Sequence, residues 1–127
     1  MRWLFGNAVT PLAEDVIERM LGGAIAHVPL LWLYEAVAVI TKAQRTGGLS
    51  QEDAHGFIED LRSLEIVVDY EGAAQIFFEV RRLAYEYRLS GYDAAYLELA
   101  VRKSLPLATL DEELRRAAVA AGVDLVG

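Results

Sequence analysis

Short apolar segments alternate with longer amphipathic ones along this chain, and that alternation constrains the fold most. The short segments are "AIAHVP" (24–29), "EIVVDY" (65–70), "LPLATL" (105–110) and "VDLV" (123–126). Strand candidates spaced by helical stretches predict an α/β domain with a doubly wound, mainly parallel sheet, flanked by helices on both faces. In such sheets ligands bind at the carboxyl ends of the strands, near the topological switch point. A length of 127 residues suits one domain, 1–127, with a sizeable core.

The helical stretches carry their own punctuation. "TPLAEDVIERMLGG" (10–23) has Thr10 as a cap, Pro11 in the first turn and Gly22–Gly23 at its end. "LLWLYEAVAVITKAQRTGG" (30–48) is a long helix closed by another glycine pair. "SQEDAHGFIEDLRSL" (50–64) opens with Ser50 and Asp53 in a capping box. "GAAQIFFEVRRLAYEYR" (72–88) and "SGYDAAYLELAVRKS" (90–104) read as two further helices. "DEELRRAAVAAG" (111–122) is the last, with Gly122 past its end.

Charge and composition narrow the chemistry. The net charge of -7 means the overall field does not steer the chain to nucleic acid. A nuclease built on it must rely on metal ions and local basic side chains. Of the 12 basic residues only Lys42 and Lys103 are lysines; arginine suits bidentate phosphate contacts, and genomic base composition explains the bias equally well. The absence of cysteine excludes disulfides and thiolate chemistry and fits a cytoplasmic setting. No apolar run approaches the roughly 20 residues of a membrane helix. The start, "MRWLFGNAVT", is too short and too polar at its end for a signal peptide. His27 and His55 are isolated, so zinc spacing is lacking, and neither a P-loop nor a G-x-S-x-G turn occurs.

Three acids stand out by position. At about 100° per residue, Glu98 and Arg102 lie about 140° and 180° around the helix from Asp93, while Tyr96, Leu97 and Ala100 lie within about 60° of it. Asp93 is therefore expected on the apolar face, opposite a charged one. An S-x-x-D box with Ser90 explains it as a cap, and a partly buried carboxylate also calls for a hydrogen-bonding, ionic or cationic partner. Asp111 follows "LPLATL" and opens the next helix. It is either a plain N-cap or a carboxylate at the strand end where this architecture places its site, with Thr109 in support. Glu35 shares a mixed helix face with Ala38, Val39 and Lys42; it is a solvated acid unless it faces Asp93 and Asp111. The four tyrosines Tyr85, Tyr87, Tyr92 and Tyr96 read as core or interface residues rather than base-stacking platforms. Were the three acids to converge, their hard oxygens would suit Mg²⁺ or Mn²⁺ and the hydrolysis of a phosphodiester by a positioned water.

The blocks "HVPLLWLYEAVAVI", "LSGYDAAYLELA" and "LPLATLDEELRRAAVAAGVDLV", in this order and spacing, resemble the PIN-domain ribonucleases. They are most similar to VapC-type toxins of bacterial toxin–antitoxin pairs. The resemblance spans essentially the whole chain. It implies an endoribonuclease that uses Mg²⁺ or Mn²⁺ held by carboxylates, often a homodimer, and blocked by a VapB-like antitoxin. By position it assigns Glu35, Asp93 and Asp111 as metal ligands and catalytic residues. Two departures accompany it. Ala38 stands where the family's "E-x-A-N" has Asn. The family's first strand, ending in "D-x-S" with a further Asp, has no counterpart before "MRWLF". The expectation is that Met1 is internal to a longer natural protein. A strand supplied by a second chain would also fill the gap, and a degenerate family member would simply lack it. The competing function is a catalytically silent PIN-like module that still pairs with an antitoxin or another protein. A signalling domain of flavodoxin-like topology would need a phosphoacceptor Asp near a Lys, which "LATLDEE" does not offer.

Overall fold

The computed structural model describes residues 25–126. The expected helix at 10–23 and the segment "MRWLF" lie outside them. The chain enters through strand β1 (Ala26–Pro29) and turns directly into helix α1 (Leu30–Arg45). Pro29 ends the strand, paired with Asp69, and is at once the N-cap of α1. Both roles suit a proline: φ is -69° and ψ is 160°, and its missing N–H falls where a helix start leaves that group unbonded.

Helix α2 (Gln51–Arg62) begins with the predicted box. Ser50 Oγ accepts from the Asp53 N–H at 3.0 Å, and an Asp53 carboxylate oxygen accepts from the Ser50 N–H at 3.3 Å. Strand β2 (Ile66–Asp69) then pairs in parallel with β1, Ala26 opposite Ile66 and Pro29 opposite Asp69. Both strands therefore point their carboxyl ends the same way. The next helical segment starts as a π-helical turn (Gln75–Val80) and continues as α3 (Arg81–Tyr87). Arg88, at φ 56°, closes it in the left-handed region. Helices α4 (Gly91–Lys103) and α5 (Glu112–Ala120) follow, and Gly122 at φ 78° ends α5 as its sequence position predicts.

The sheet is smaller than the sequence pattern implies. Among the described residues it has two strands, and "LPLATL" and "VDLV" contribute one isolated parallel bridge, Leu107 to Leu125. The Leu107 N–H donates to Asp124 at 2.8 Å and the Val126 N–H to Leu107 at 3.0 Å. Pro106 offers no N–H to extend that ladder. The α/β class and the parallel sense hold; of the doubly wound sheet, only this part is seen in the described residues.

Packing centres on α4. Leu97 and Ala94 are fully buried and meet Val80, Leu83, Leu107, Leu114, Ala117 and Ala118 from the flanking elements. A smaller cluster joins Val28, Trp32 and Ala36 where α1 leaves β1, with Val68 and Tyr96 against it. Tyr96 thus ties α4 to the sheet side of the molecule.

Candidate functional site

Helix α4 carries polar groups at both ends, and the two ends differ. At its amino end, Ser90 is in the extended conformation and its Oγ accepts from the Asp93 N–H at 3.1 Å. That bond fixes the first turn and leaves the Asp93 side chain half-buried on the core-facing side. One turn on, the Tyr96 hydroxyl donates to Glu35 Oε1 across 61 positions of sequence. Glu35 is half-buried on α1. The structure therefore draws together the helices that carry Glu35 and Asp93, with Tyr96 as the link. Sequence patterning assigned Tyr96 to the apolar face and gave no sign of this bond.

Asp111 is the N-cap of α5, and its Oδ1 accepts from the Glu113 N–H at 3.0 Å. Its own N–H donates to Thr109 Oγ1 at 3.1 Å. Thr109 is buried, and its carbonyl accepts from Arg115 Nη1 at 2.9 Å. The Thr109 hydroxyl meets the Asp111 backbone and fixes the turn between Leu107 and α5. The N-cap role of Asp111 is present too.

These acids do not form a ready-made metal centre. Among the described residues, no three carboxylate or imidazole groups lie together so as to hold an ion. The donor chemistry of Glu35, Asp93 and Asp111, all carboxylate oxygen, suits a hard cation. Their arrangement alone does not supply its coordination. His27 and His55 are not buried, in keeping with their isolation in sequence.

At the carboxyl end of α4 lies a constellation that sequence reasoning missed. Glu98 was expected on a charged, outward face with Arg102. It is instead buried, 4% exposed, and forms part of a network. Arg102 donates to Glu98 through Nε (2.8 Å) and Nη2 (3.0 Å), and to Asp69 through Nη1 (3.2 Å) and Nη2 (2.5 Å). Gln75 Nε2 donates to Glu98 Oε2 at 2.5 Å from the π-helical turn. Glu71 follows at the carboxyl end of β2, and its Oε2 is buried without a hydrogen-bond partner among the described residues. The Arg102 guanidinium holds Asp69 below the usual carboxylate range. Burial, reinforced by the neighbouring Asp69 carboxyl, pushes Glu71 up to about 7. Both carboxylates raise Arg102 further above its ordinary value, Glu98 more than Asp69. An i, i+4 Glu–Arg pair reads in sequence as a solvated helix pair. The partner that draws it inward, Asp69, is 33 residues away.

The surface arginines show similar local neutralisation. Arg82 is shared by Glu79 and Glu86, and Arg116 pairs with Glu113. No helix among the described residues is long and apolar enough to cross a membrane.

The chain was also compared with known proteins. A family model described as "PIN domain" matches residues 3–120. No curated protein matches.

Proposed function

This chain belongs to the PIN domain family, whose members are in general metal-dependent nucleases, and from that premise we propose that it is an endoribonuclease using Mg²⁺ or Mn²⁺. We assign it to the VapC type, the toxin half of a type II toxin–antitoxin pair, as a single domain acting in the bacterial cytoplasm. Glu35, Asp93 and Asp111 are the catalytic and metal-binding carboxylates in this proposal. A cognate VapB-like antitoxin is the protein partner, RNA the substrate, and a homodimer the working assembly.

The observation that most supports the reading is the Tyr96–Glu35 hydrogen bond. It holds the helix bearing Glu35 against the helix bearing Asp93, two acids far apart in the chain. A neutral hydroxyl donor orients a carboxylate without cancelling its charge, as a cation-binding acid requires. Ser90 sets the turn that presents Asp93, and Thr109 sets the turn that presents Asp111. What the divalent ion supplies when bound is neutralisation of charge on a phosphodiester under attack by water.

Two observations favour a second reading, the catalytically silent module that binds a protein partner. Ala38, at the family's Asn position, is exposed and brings no polar group to Glu35. The described residues also lack a group of three acids placed for an ion.

The two readings separate in one assay. Purified chain is incubated with RNA in Mg²⁺, in Mn²⁺ and in excess chelator, beside Asp93→Asn. Cleavage that needs the metal and is lost in the variant supports the nuclease. Intact RNA in every lane, with tight binding of a small co-expressed partner, supports the silent module and removes the nuclease assignment.

A further inference from the structure

The segment from Gln75 to Arg88 turns one side to the core and the other to solvent, and the outer side is aromatic. Val80 and Leu83 are buried. Phe77, Phe78 and Tyr85 are exposed, Tyr85 by 89% and Phe77 by 67%. Along α3 and its cap, Arg81, Tyr85 and Arg88 fall within about 60° of one another at helical pitch. Arg81 folds back toward Phe77, its Nε donating to the Phe77 carbonyl at 2.8 Å. Rings and guanidiniums therefore interleave along one ridge in the order Phe77, Phe78, Arg81, Tyr85, Arg88.

The cations on this ridge lack counter-charges. Glu79 and Glu86 are both engaged by Arg82, at 3.1 and 3.3 Å. Among the described residues neither Arg81 nor Arg88 has an ion pair. That limits what can cover the face. A second copy docked here about a two-fold axis presents the same patch, which brings rings and cations but no free carboxylate. An apolar protein surface leaves two guanidiniums desolvated without partners. A single-stranded nucleic acid meets both needs, with phosphates for the guanidiniums and base faces for the rings. Location agrees with this. After Leu89 and Ser90, α4 begins, and its first turn carries the exposed Tyr92 beside Asp93.

We propose that Phe77, Phe78, Arg81, Tyr85 and Arg88 form a stacking ridge for single-stranded RNA that leads the strand toward the first turn of α4. The strand is single because only unpaired bases can splay their faces onto protein rings. The proposal rests on RNA being the substrate and uses none of the three proposed catalytic acids. Because two guanidiniums alone are unpaired, stacking carries most of the affinity. Salt then weakens binding gently. The logarithmic slope is about -0.7 per phosphate contact on a single strand, so about -1.4 for two.

Binding of a short, unstructured fluorescent RNA to the full chain, read by anisotropy in excess chelator, tests the ridge without any cleavage. Tyr85→Ser and Phe77→Ser are each expected to weaken binding about fivefold or more. Tyr85→Phe keeps the ring and should bind as the native chain does. The same RNA annealed into a duplex should bind more weakly than the single strand. A salt titration of the native chain reads the balance of stacking and charge with no variant at all, and a slope near -1.4 supports the ridge. Unchanged affinity in both serine variants overturns it, as does equal affinity for the duplex or a slope of about -4 or steeper. An altered oligomeric mass in the serine variants with RNA affinity intact gives the face to a second copy and also overturns it. If the native chain binds no RNA in chelator yet cuts RNA with Mg²⁺ or Mn²⁺, the ridge falls and the nuclease reading stands. If it neither binds nor cuts, both fall.

Discussion

Helix α4 has two polar ends that treat acids in opposite ways. At the carboxyl end, Asp69 and Glu98 are gripped by one arginine through four hydrogen bonds. At the amino end, the Asp93 backbone is tied to a serine and Glu35 receives a neutral tyrosine hydroxyl. The first arrangement cancels charge and joins elements. The second orients a carboxylate through a neutral donor and fixes a helix turn. Acids thus serve cohesion at one end of a helix and, as proposed, chemistry at the other.

The sharpest test of that contrast is Arg102→Met. It leaves Glu98 buried without its cation, and a loss of about 3–5 kcal/mol in urea unfolding is expected. A loss below about 1 kcal/mol would show that the carboxyl end does not bind the fold together. Next comes Asp93→Asn at the other end. Metal-dependent RNA cleavage should drop on the order of 100-fold or more, with a far smaller stability change than in Arg102→Met. Comparable unfolding in both variants would erase the distinction between the ends.

Tyr96→Phe removes only the hydroxyl that meets Glu35. About 1 kcal/mol of stability should go, and cleavage should weaken several-fold as Glu35 loses its orientation. Unaltered turnover would detach this bond from function. The smallest effect is expected from Ser90→Ala, about 0.5–1 kcal/mol from the lost cap, measured by the same unfolding curves.

Helix ends were the most legible part of this sequence. Ser50 with Asp53, Ser90, Asp111 and Gly122 act where local rules place them, because capping depends on residues within one turn. The α/β class and the parallel pairing of the two segments around Val28 and Val68 were legible from alternation. The extent of the sheet was not. Apolar content marks 105–110 as strand-like, but a ladder also needs neighbours and donors, and Pro106 supplies none. Long-range polar pairs were invisible. Helical periodicity put Glu98 outward because the pattern cannot see Asp69 or Gln75 approaching it. The Tyr96–Glu35 bond was hidden for the same reason. Asp93, half-buried between the fully buried Ala94 and the exposed Tyr92, sits close to where periodicity places it.

The π-helical turn at Gln75–Val80 gives the protein some play. Its wide turn holds one residue more than an α-turn would. Such a turn absorbs the extra residue without rotating the segments on either side, so removing one residue from within it restores ordinary pitch in nearly the same register. Gln75 stays on the side of Glu98, and Leu83 keeps its place in the core. Length at this point is therefore slack, and a single codon deletion that would shift register in a regular helix is taken up here.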